Sequence, residues 1–191
     1  ATCPRAGDLL RLGGIRGHPP PSGQGSPHLL PAPQQWCTGF RISLQKETGI
    51  DVSQKTFFCA GAGGAGRAIC CVLAADRAKK IYLYDKIDSR AQTLAEDINK
   101  NFGPVAEFVS FDDKAAMEKA GGADVLINAT GVGMAETIDQ SPFSEDIIRP
   151  EHICYDATYN PTETCFLRQG RERGCVTVNG IGMLLYQGVA Q

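Results

Sequence analysis

Three glycines, Gly61, Gly63 and Gly66, have the spacing G-x-G-x-x-G within a stretch that reads TFFCAGAGGAGRAI over 56–69. The residues before them are mostly apolar, as in a strand, and a helix-compatible segment follows at once. In such a strand-turn-helix unit a pyrophosphate can approach the backbone and bind the N–H groups at the start of the helix. An ordinary glycine-rich turn fits the same letters, so the interpretation depends on what accompanies them.

Each glycine has its own role in a dinucleotide site. Gly61 makes the turn, Gly63 leaves room for the pyrophosphate, and Gly66 lets the helix pack tightly on the sheet. An acidic residue in the right place strengthens this interpretation. Asp85 follows a second predicted strand, IYLY over 81–84. From that position a carboxylate can bind both ribose hydroxyls of NAD.

The alternative for Asp85 is structural. Asp is a common helix cap, and a helix is predicted to begin near Ser89. With the three glycines in place, ribose binding is the favoured role.

The elements that position these residues alternate regularly along the chain. The first part predicts strand 56–60, helix 65–76, strand 81–85, helix 89–101, strand 105–109, helix 113–120 and strand 124–128. Strands separated by helices of this length predict right-handed βαβ units. The expected fold class is therefore α/β, a doubly wound parallel sheet of the Rossmann type.

The strand at 124–128 ends in Asn128, Ala129 and Thr130. Ligands of open α/β sheets lie beyond the carboxyl ends of the strands, so these residues should face the same crevice as the glycines. Asn128 could equally form a turn ahead of Gly131.

The remaining elements complete the sheet. They are a strand at 153–157, a helix at 162–174 with Thr162 as its N-cap, a strand at 175–178 and a final helix from 182 that we expect to be cut short at 191.

The segment 1–37 differs from the rest. Most of it is rich in Pro, Gly, Ser and Gln and has no helical or strand periodicity, which predicts disorder. It is either a flexible linker or a sequence foreign to the native reading of the gene. The cofactor-binding domain is expected to occupy 38–191.

Composition excludes several classes of function. The net charge of −2 gives no basic footprint for nucleic acid, and no apolar run is long enough to suggest a membrane span. The 8 cysteines form no C-x-x-C pair and no metal-ligand spacing with His. We interpret them as reduced core residues of a cytoplasmic protein, with no metal site.

Four motifs together resemble a known family. They are GAGGAGRAI (61–69), NATGVGM (128–134), YDATYNPTETCFL (155–167) and NGIGMLLYQG (179–188). In this order they resemble the cofactor-binding half of the shikimate and quinate dehydrogenases. The resemblance implies an oxidoreductase that moves a hydride between a nicotinamide cofactor and an alcohol carbon of shikimate or quinate, in aromatic amino acid or quinate metabolism.

The resemblance also implies site residues. Those implied for the cofactor are Gly61, Ala62, Gly63, Gly64, Ala65 and Gly66 at the pyrophosphate, Asp85 and Lys86 at the adenosine ribose, Asn128, Ala129 and Thr130 along the crevice, and Ala157 and Gly180 at the nicotinamide. Tyr159 and Gln187 match positions that touch the polyhydroxy acid. The alternatives are a Tyr159 ring packed on Phe166 and a solvated Gln187.

The second strand end bears on the choice of cofactor. In the family that this chain resembles, the NADP-using members have an Asn-Arg-Thr-like run at this position. This chain has Asp85-Lys86-Ile87-Asp88 instead. A carboxylate repels a 2′-phosphate and accepts bonds from a free 2′-hydroxyl, which favours NAD over NADP. Lys86 and Arg90 could neutralise a phosphate if Asp85 turned away.

The catalytic pair that the resemblance implies has no match. The chain has no Asn-Val-Thr-x-Pro-x-Lys-like motif, and Trp36 stands at the place of the family's second catalytic group, an Asp. Trp cannot transfer a proton from an alcohol. We therefore expect no catalytic residue here and little or no turnover by this chain alone.

Two functional readings remain open. One is a part of a shikimate or quinate dehydrogenase, and the other is a non-catalytic NAD-binding module. Methylene-tetrahydrofolate dehydrogenase and glutamyl-tRNA reductase share this kind of domain, but the motifs at 155–161 and 182–188 argue against both. The sequence is equally consistent with shikimate and quinate as the substrate, and with a monomer and a homodimer as the oligomeric state.

Overall fold

The computed structural model describes residues 34–110 and 115–189. Its first helix is α1 (Gln34–Thr48), whose first residues lie in the segment 1–37 for which the sequence predicts disorder. Gln34 and Gln35 are good helix formers but are polar, so hydrophobic periodicity gives no signal for them. Residues 1–33 of the segment predicted to be disordered lie outside the described residues.

A single sheet of parallel strands forms the centre of the described domain. Its strands are β1 (Thr56–Ala60), β2 (Lys80–Tyr84), β3 (Ala106–Val109), β4 (Val125–Asn128), β5 (Ile153–Asp156) and β6 (Val176–Val178). They lie in the order β3-β2-β1-β4-β5-β6, and every neighbouring pair is parallel. The predicted doubly wound Rossmann fold is confirmed.

Helices connect the strands and cover both faces of the sheet. After α1 they are α2 (Gly64–Ala75), α3 (Asp88–Phe102), α4 (Ala116–Gly121), α5 (Cys165–Glu172) and α6 (Gly180–Val189). The strand order reverses between β1 and β4, which leaves a crevice at their carboxyl ends.

Alternation along the strands divides the core into two layers. Phe57 and Cys59 of β1 join the layer beneath α1, α2, α3 and α6, whereas Phe58 and Ala60 join the layer beneath α4 and α5. Successive side chains of a strand point to opposite faces, so a strand buried on both faces reads as a continuous apolar run. This accounts for the sequence TFFCA.

Two of the helix starts that differ from the predictions have a local cause. The N-cap of α5 is Thr164, whose hydroxyl accepts a hydrogen bond from Leu167 N at 3.3 Å, and the predicted N-cap Thr162 lies ahead of the helix. The final helix α6 starts at Gly180, just after Asn179, whose side-chain oxygen accepts from Ile181 N at 3.1 Å. In both cases a local side-chain acceptor for a free N–H sets the start.

The cysteines whose side chains the structure describes are free thiols: Cys59, Cys70, Cys154 and Cys165, which are buried, and Cys71 and Cys175, which are partly exposed. This agrees with their interpretation as small core residues. Among the helices described, none combines the length and apolar character needed to cross a membrane.

Candidate cofactor site

The turn after β1 requires glycine at its first position. Gly61 has φ +103, and a Cβ there would lie 2.5 Å from the carbonyl oxygen of Ala129. Its N–H donates to Tyr84 O at 2.7 Å, which joins the turn to the end of β2. The turn is therefore packed between the end of β2 and the residues just after β4, the two strands that flank β1.

The next two glycines face open space. Gly63 is the N-cap of α2 and Gly64 is its first residue, both are exposed, and a Cβ on either would have no atom within 4 Å. Gly63 has no side chain to cap the helix, so the N–H groups of the first turn of α2 remain available to an anion. This geometry fits a pyrophosphate.

Gly66 permits close packing of α2 on the turn. A Cβ at Gly66 would lie 1.9 Å from Gly61 O, well inside van der Waals contact. The glycines therefore adopt the turn, open and packed environments expected from their spacing.

Asp85 is held in place by two backbone donors. Its Oδ2 accepts from Ala62 N at 2.8 Å and its Oδ1 accepts from Ile87 N at 2.9 Å, and its residue is only 8% exposed. Ile87 is the N-cap of α3, so Asp85 braces both the glycine turn and the approach to α3. The carboxylate lies at the glycine turn, and Lys86 beside it is exposed.

A buried polar cluster joins the ends of β4 and β5. Asn128 and Asp156 are fully buried neighbours in the sheet, and Asn128 Nδ2 donates to Asp156 Oδ2 at 3.0 Å. Asn128 Oδ1 accepts from Thr130 N at 3.1 Å and from Thr130 Oγ1 at 2.7 Å. Asn128 therefore forms the turn that the sequence offered as the alternative to direct contact with the crevice.

Asp156 receives two further hydrogen bonds. Thr164 Oγ1 donates to its Oδ2 at 2.7 Å and Thr158 N donates to its Oδ1 at 2.8 Å. Burial raises the pKa of the Asp156 carboxyl, and hydrogen bonds from Thr164, Thr158 and Asn128 oppose that rise. Sequence reasoning missed Asp156 and Thr164. The available signal was an acid at the end of an apolar strand, followed by hydroxyl residues.

The residues predicted near the nicotinamide lie together. Gly180 N donates to Thr158 O at 2.9 Å, and a Cβ at Gly180 would lie 2.3 Å from Ala157 O. The start of α6 thus packs directly on the chain leaving β5.

Of the two residues predicted at the substrate, only Tyr159 has a described side chain. Tyr159 is 51% exposed, whereas Phe166 is fully buried and packs on Phe143 with ring centroids 4.9 Å apart. This exposure disfavours the alternative in which the Tyr159 ring packs on Phe166. Gln187 lies in α6, and its side chain falls outside the described part of the structure.

Comparison with known proteins shows which proteins this chain is similar to. No protein-family model matches the chain. A shikimate dehydrogenase (NADP(+)) of Desulforamulus reducens is 36% identical over 152 residues, covering 79% of this chain and 52% of that protein. Shikimate 5-dehydrogenase from Listeria monocytogenes, solved in complex with shikimate and NAD, is 36% identical with a TM-score of 0.75, over 82% of this chain and 55% of that one. This chain is a relative of the shikimate and quinate dehydrogenases.

A quinate dehydrogenase supports the same relationship. The enzyme from Corynebacterium glutamicum, solved in complex with NAD, is 28% identical with a TM-score of 0.75, over 82% of this chain and 54% of that one. The chain spans about half the length of the curated shikimate dehydrogenases it matches, 52% for the relative from Desulforamulus reducens. The predicted resemblance to these dehydrogenases and the predicted fold are confirmed, and the residue roles remain predictions.

Proposed function

We propose that this chain is the cofactor-binding portion of a shikimate or quinate dehydrogenase and that it binds NAD. The observation that carries the proposal is the open face of the glycine turn. Gly63 and Gly64 leave the first turn of α2 uncovered, beside a carboxylate fixed at the end of β2. A pyrophosphate fits the former and a ribose fits the latter.

When bound, NAD would supply the acceptor for a hydride from an alcohol carbon of the substrate. Gly61, Ala62, Gly63, Gly64 and Ala65 hold the pyrophosphate. Ala129 and Thr130 line the crevice. Asn128 Oδ1 holds Thr130 there by accepting hydrogen bonds from its N–H and its hydroxyl. Ala157 and Gly180 form a compact wall for the nicotinamide, because their backbones are already in contact.

The substrate would lie beyond that wall. Tyr159, which is half-exposed at the carboxyl end of β5, is proposed to touch shikimate or quinate together with Gln187. Neither residue replaces the Lys and Asp that the family resemblance implies for proton transfer, so the chain alone should bind cofactor with little or no turnover.

The preference for NAD rests on Asp85. Two backbone N–H donors hold its carboxylate, which opposes the rotation that would let Lys86 and Arg90 receive a 2′-phosphate. A fixed negative charge disfavours a phosphate dianion and accepts a hydrogen bond from a 2′-hydroxyl. We expect NAD to bind at least about tenfold more tightly than NADP, which corresponds to about 1.4 kcal/mol.

Calorimetric titration of NAD and NADP tests this preference. The variant Asp85→Asn keeps the size of the side chain and removes its charge, so the ratio of the two affinities should fall. Asp139→Asn is the matched control, since it makes the same chemical change at an exposed position of a different loop. Tighter binding of NADP by the unaltered chain would overturn the proposal for Asp85.

A turnover assay separates the two functional readings. The purified chain is mixed with NAD and either shikimate or quinate, and NADH absorbance is followed beside an intact dehydrogenase of the family. We expect NAD binding without a comparable rate. A rate near that of the intact enzyme would refute the predicted loss of catalysis, and failure to bind NAD would refute both readings.

A further inference from the structure

A buried carboxylate connects three segments at the nicotinamide end of the crevice. Asp156 is fully buried, and its hydrogen-bond partners are neutral: Asn128 Nδ2, Thr164 Oγ1, and both the N–H and the side chain of Thr158. A charge removed from water is costly unless hydrogen bonds compensate for it. A neutral residue of similar shape would fill the same space without that cost, so simple packing does not explain an acid here.

The bonds of Asp156 reach both loops that border the crevice. Through Asn128, the carboxylate contacts the turn after β4, where Asn128 Nδ2 also donates to Val132 O at 2.9 Å. Through Thr164, it contacts the start of α5, and Thr164 in turn lies against Gly133 of the same β4 loop.

The third connection leads to α6. Asp156 Oδ1 holds Thr158 N, and Thr158 O accepts from Gly180 N at 2.9 Å. Ala157, between the two, donates its N–H to Asn128 O at 2.8 Å. The carboxylate thus holds Thr158, whose carbonyl binds Gly180, and Asn128, whose carbonyl binds Ala157.

The adenosine end of the crevice is built without this carboxylate. Gly61 is held by Tyr84 O, and Ala62 by Asp85, both from the β2 side. Loss of Asp156 should therefore disturb one end of the crevice and spare the other.

From this arrangement we propose that Asp156 is a positioning residue that fixes the nicotinamide-facing wall, Ala157 and Gly180, by joining it to Asn128 and Thr164. The inference rests on the proposed binding of NAD. Asp156 touches neither cofactor nor substrate in this role and acts through Thr158 and Asn128.

Two ligands distinguish the two ends of the crevice. ADP-ribose carries the adenosine, pyrophosphate and second ribose, and NADH adds the nicotinamide ring. In Asp156→Asn we expect the affinity for ADP-ribose to stay within about twofold of the unaltered chain, whereas NADH binds about tenfold more weakly. The increase in NADH fluorescence on binding should also shrink. A purely structural role would weaken both ligands together.

Asp139→Asn is the control for the chemical change, because Asp139 is exposed. A second pair of variants serves if Asp156→Asn does not fold. Thr164→Val keeps the shape and removes the hydroxyl that donates to Asp156, whereas Thr164→Ser keeps the hydroxyl. The Val variant should lose NADH affinity selectively by about threefold, and the Ser variant should retain it. Thr164→Val also loses the α5 cap, which lowers the melting temperature, but loss of the cap alone would not weaken NADH more than ADP-ribose.

Failure of the proposed function and failure of the inference about Asp156 give different results in these titrations. If the unaltered chain binds neither NADH nor ADP-ribose, the proposed function fails and the inference fails with it. If the unaltered chain binds both, and the ratio of their affinities is unchanged in Asp156→Asn or, where that variant is unfolded, in Thr164→Val, the inference alone is overturned.

Discussion

Substitution of Gly66 by alanine tests the packing of the glycine turn quantitatively. The new Cβ would lie 1.9 Å from Gly61 O, whereas real Cβ atoms essentially never approach closer than 3.0 Å. The turn or the helix must therefore move by about 1 Å. Gly61 cannot move freely, because Tyr84 O holds its N–H and Ala129 packs against it.

Two effects of the substitution have opposite signs. Alanine is a better helix former than glycine by up to about 1 kcal/mol. Overpacking costs about 1–3 kcal/mol, and the fixed backbone on both sides of this contact places Gly66→Ala at the upper end, about 3 kcal/mol. The clash dominates, so Gly66→Ala should lower the free energy of unfolding by about 2 kcal/mol, which corresponds to about 4–8 °C in melting temperature for a domain of this size.

Gly64→Ala is the matched control in the same helix, because its Cβ would meet no atom within 4 Å. Thermal unfolding followed by circular dichroism should show Gly64→Ala at or slightly above the unaltered chain. The reasoning is refuted if Gly66→Ala melts within about 1 °C of Gly64→Ala.

Three further predictions concern other parts of the domain. Gly180→Ala should lower both the melting temperature and NADH affinity, because its Cβ would lie 2.3 Å from Ala157 O; unchanged values in both assays would contradict this. Burial lowers the pKa of His152, so its contribution to stability is complete above its ordinary pKa of 6.5 and decreases as the pH falls below it, by at most about 1.4 kcal/mol per pH unit. Unfolding measured from pH 7 to 5 should be less pH-dependent in His152→Gln, and an equal dependence would disprove the assignment. Arg41 and Asp76 form a two-bond ion pair at 2.7 Å on a partly exposed surface, so Asp76→Asn should cost about 0.5–1 kcal/mol in low salt and less in high salt, and a salt-independent cost would argue against the pair.

The sequence predicts the order of the elements and the environments of the glycines well. The alternation of strands and helices follows from local hydrophobic patterns, and it yields β1 at 56–60 with no error in its bounds. The turn at Gly61 and the close packing at Gly66 are general to the motif, so spacing alone is enough to predict them.

The remaining features depend on contacts between segments that are distant in the sequence, so local patterns do not predict them. Thr162 and Thr164 are equally plausible caps in sequence, and Thr164 is selected because its hydroxyl also reaches Asp156. The bonds of Asp85 to Ala62 are likewise invisible locally, because they join the ends of two strands. Side-chain networks of this kind depend on the register of the sheet, which local propensity does not specify.

The most direct test of the account is calorimetric titration of NAD into the unaltered chain and into Gly63→Val. The valine side chain would project into the open space at the N-terminus of α2, where the pyrophosphate is proposed to bind, and its Cβ meets no protein atom within 4 Å. We expect one NAD site in the unaltered chain and its loss in Gly63→Val, with cooperative unfolding retained. Absence of NAD binding to the unaltered chain, or equal binding by the folded variant, would show that the glycine turn is not a pyrophosphate site.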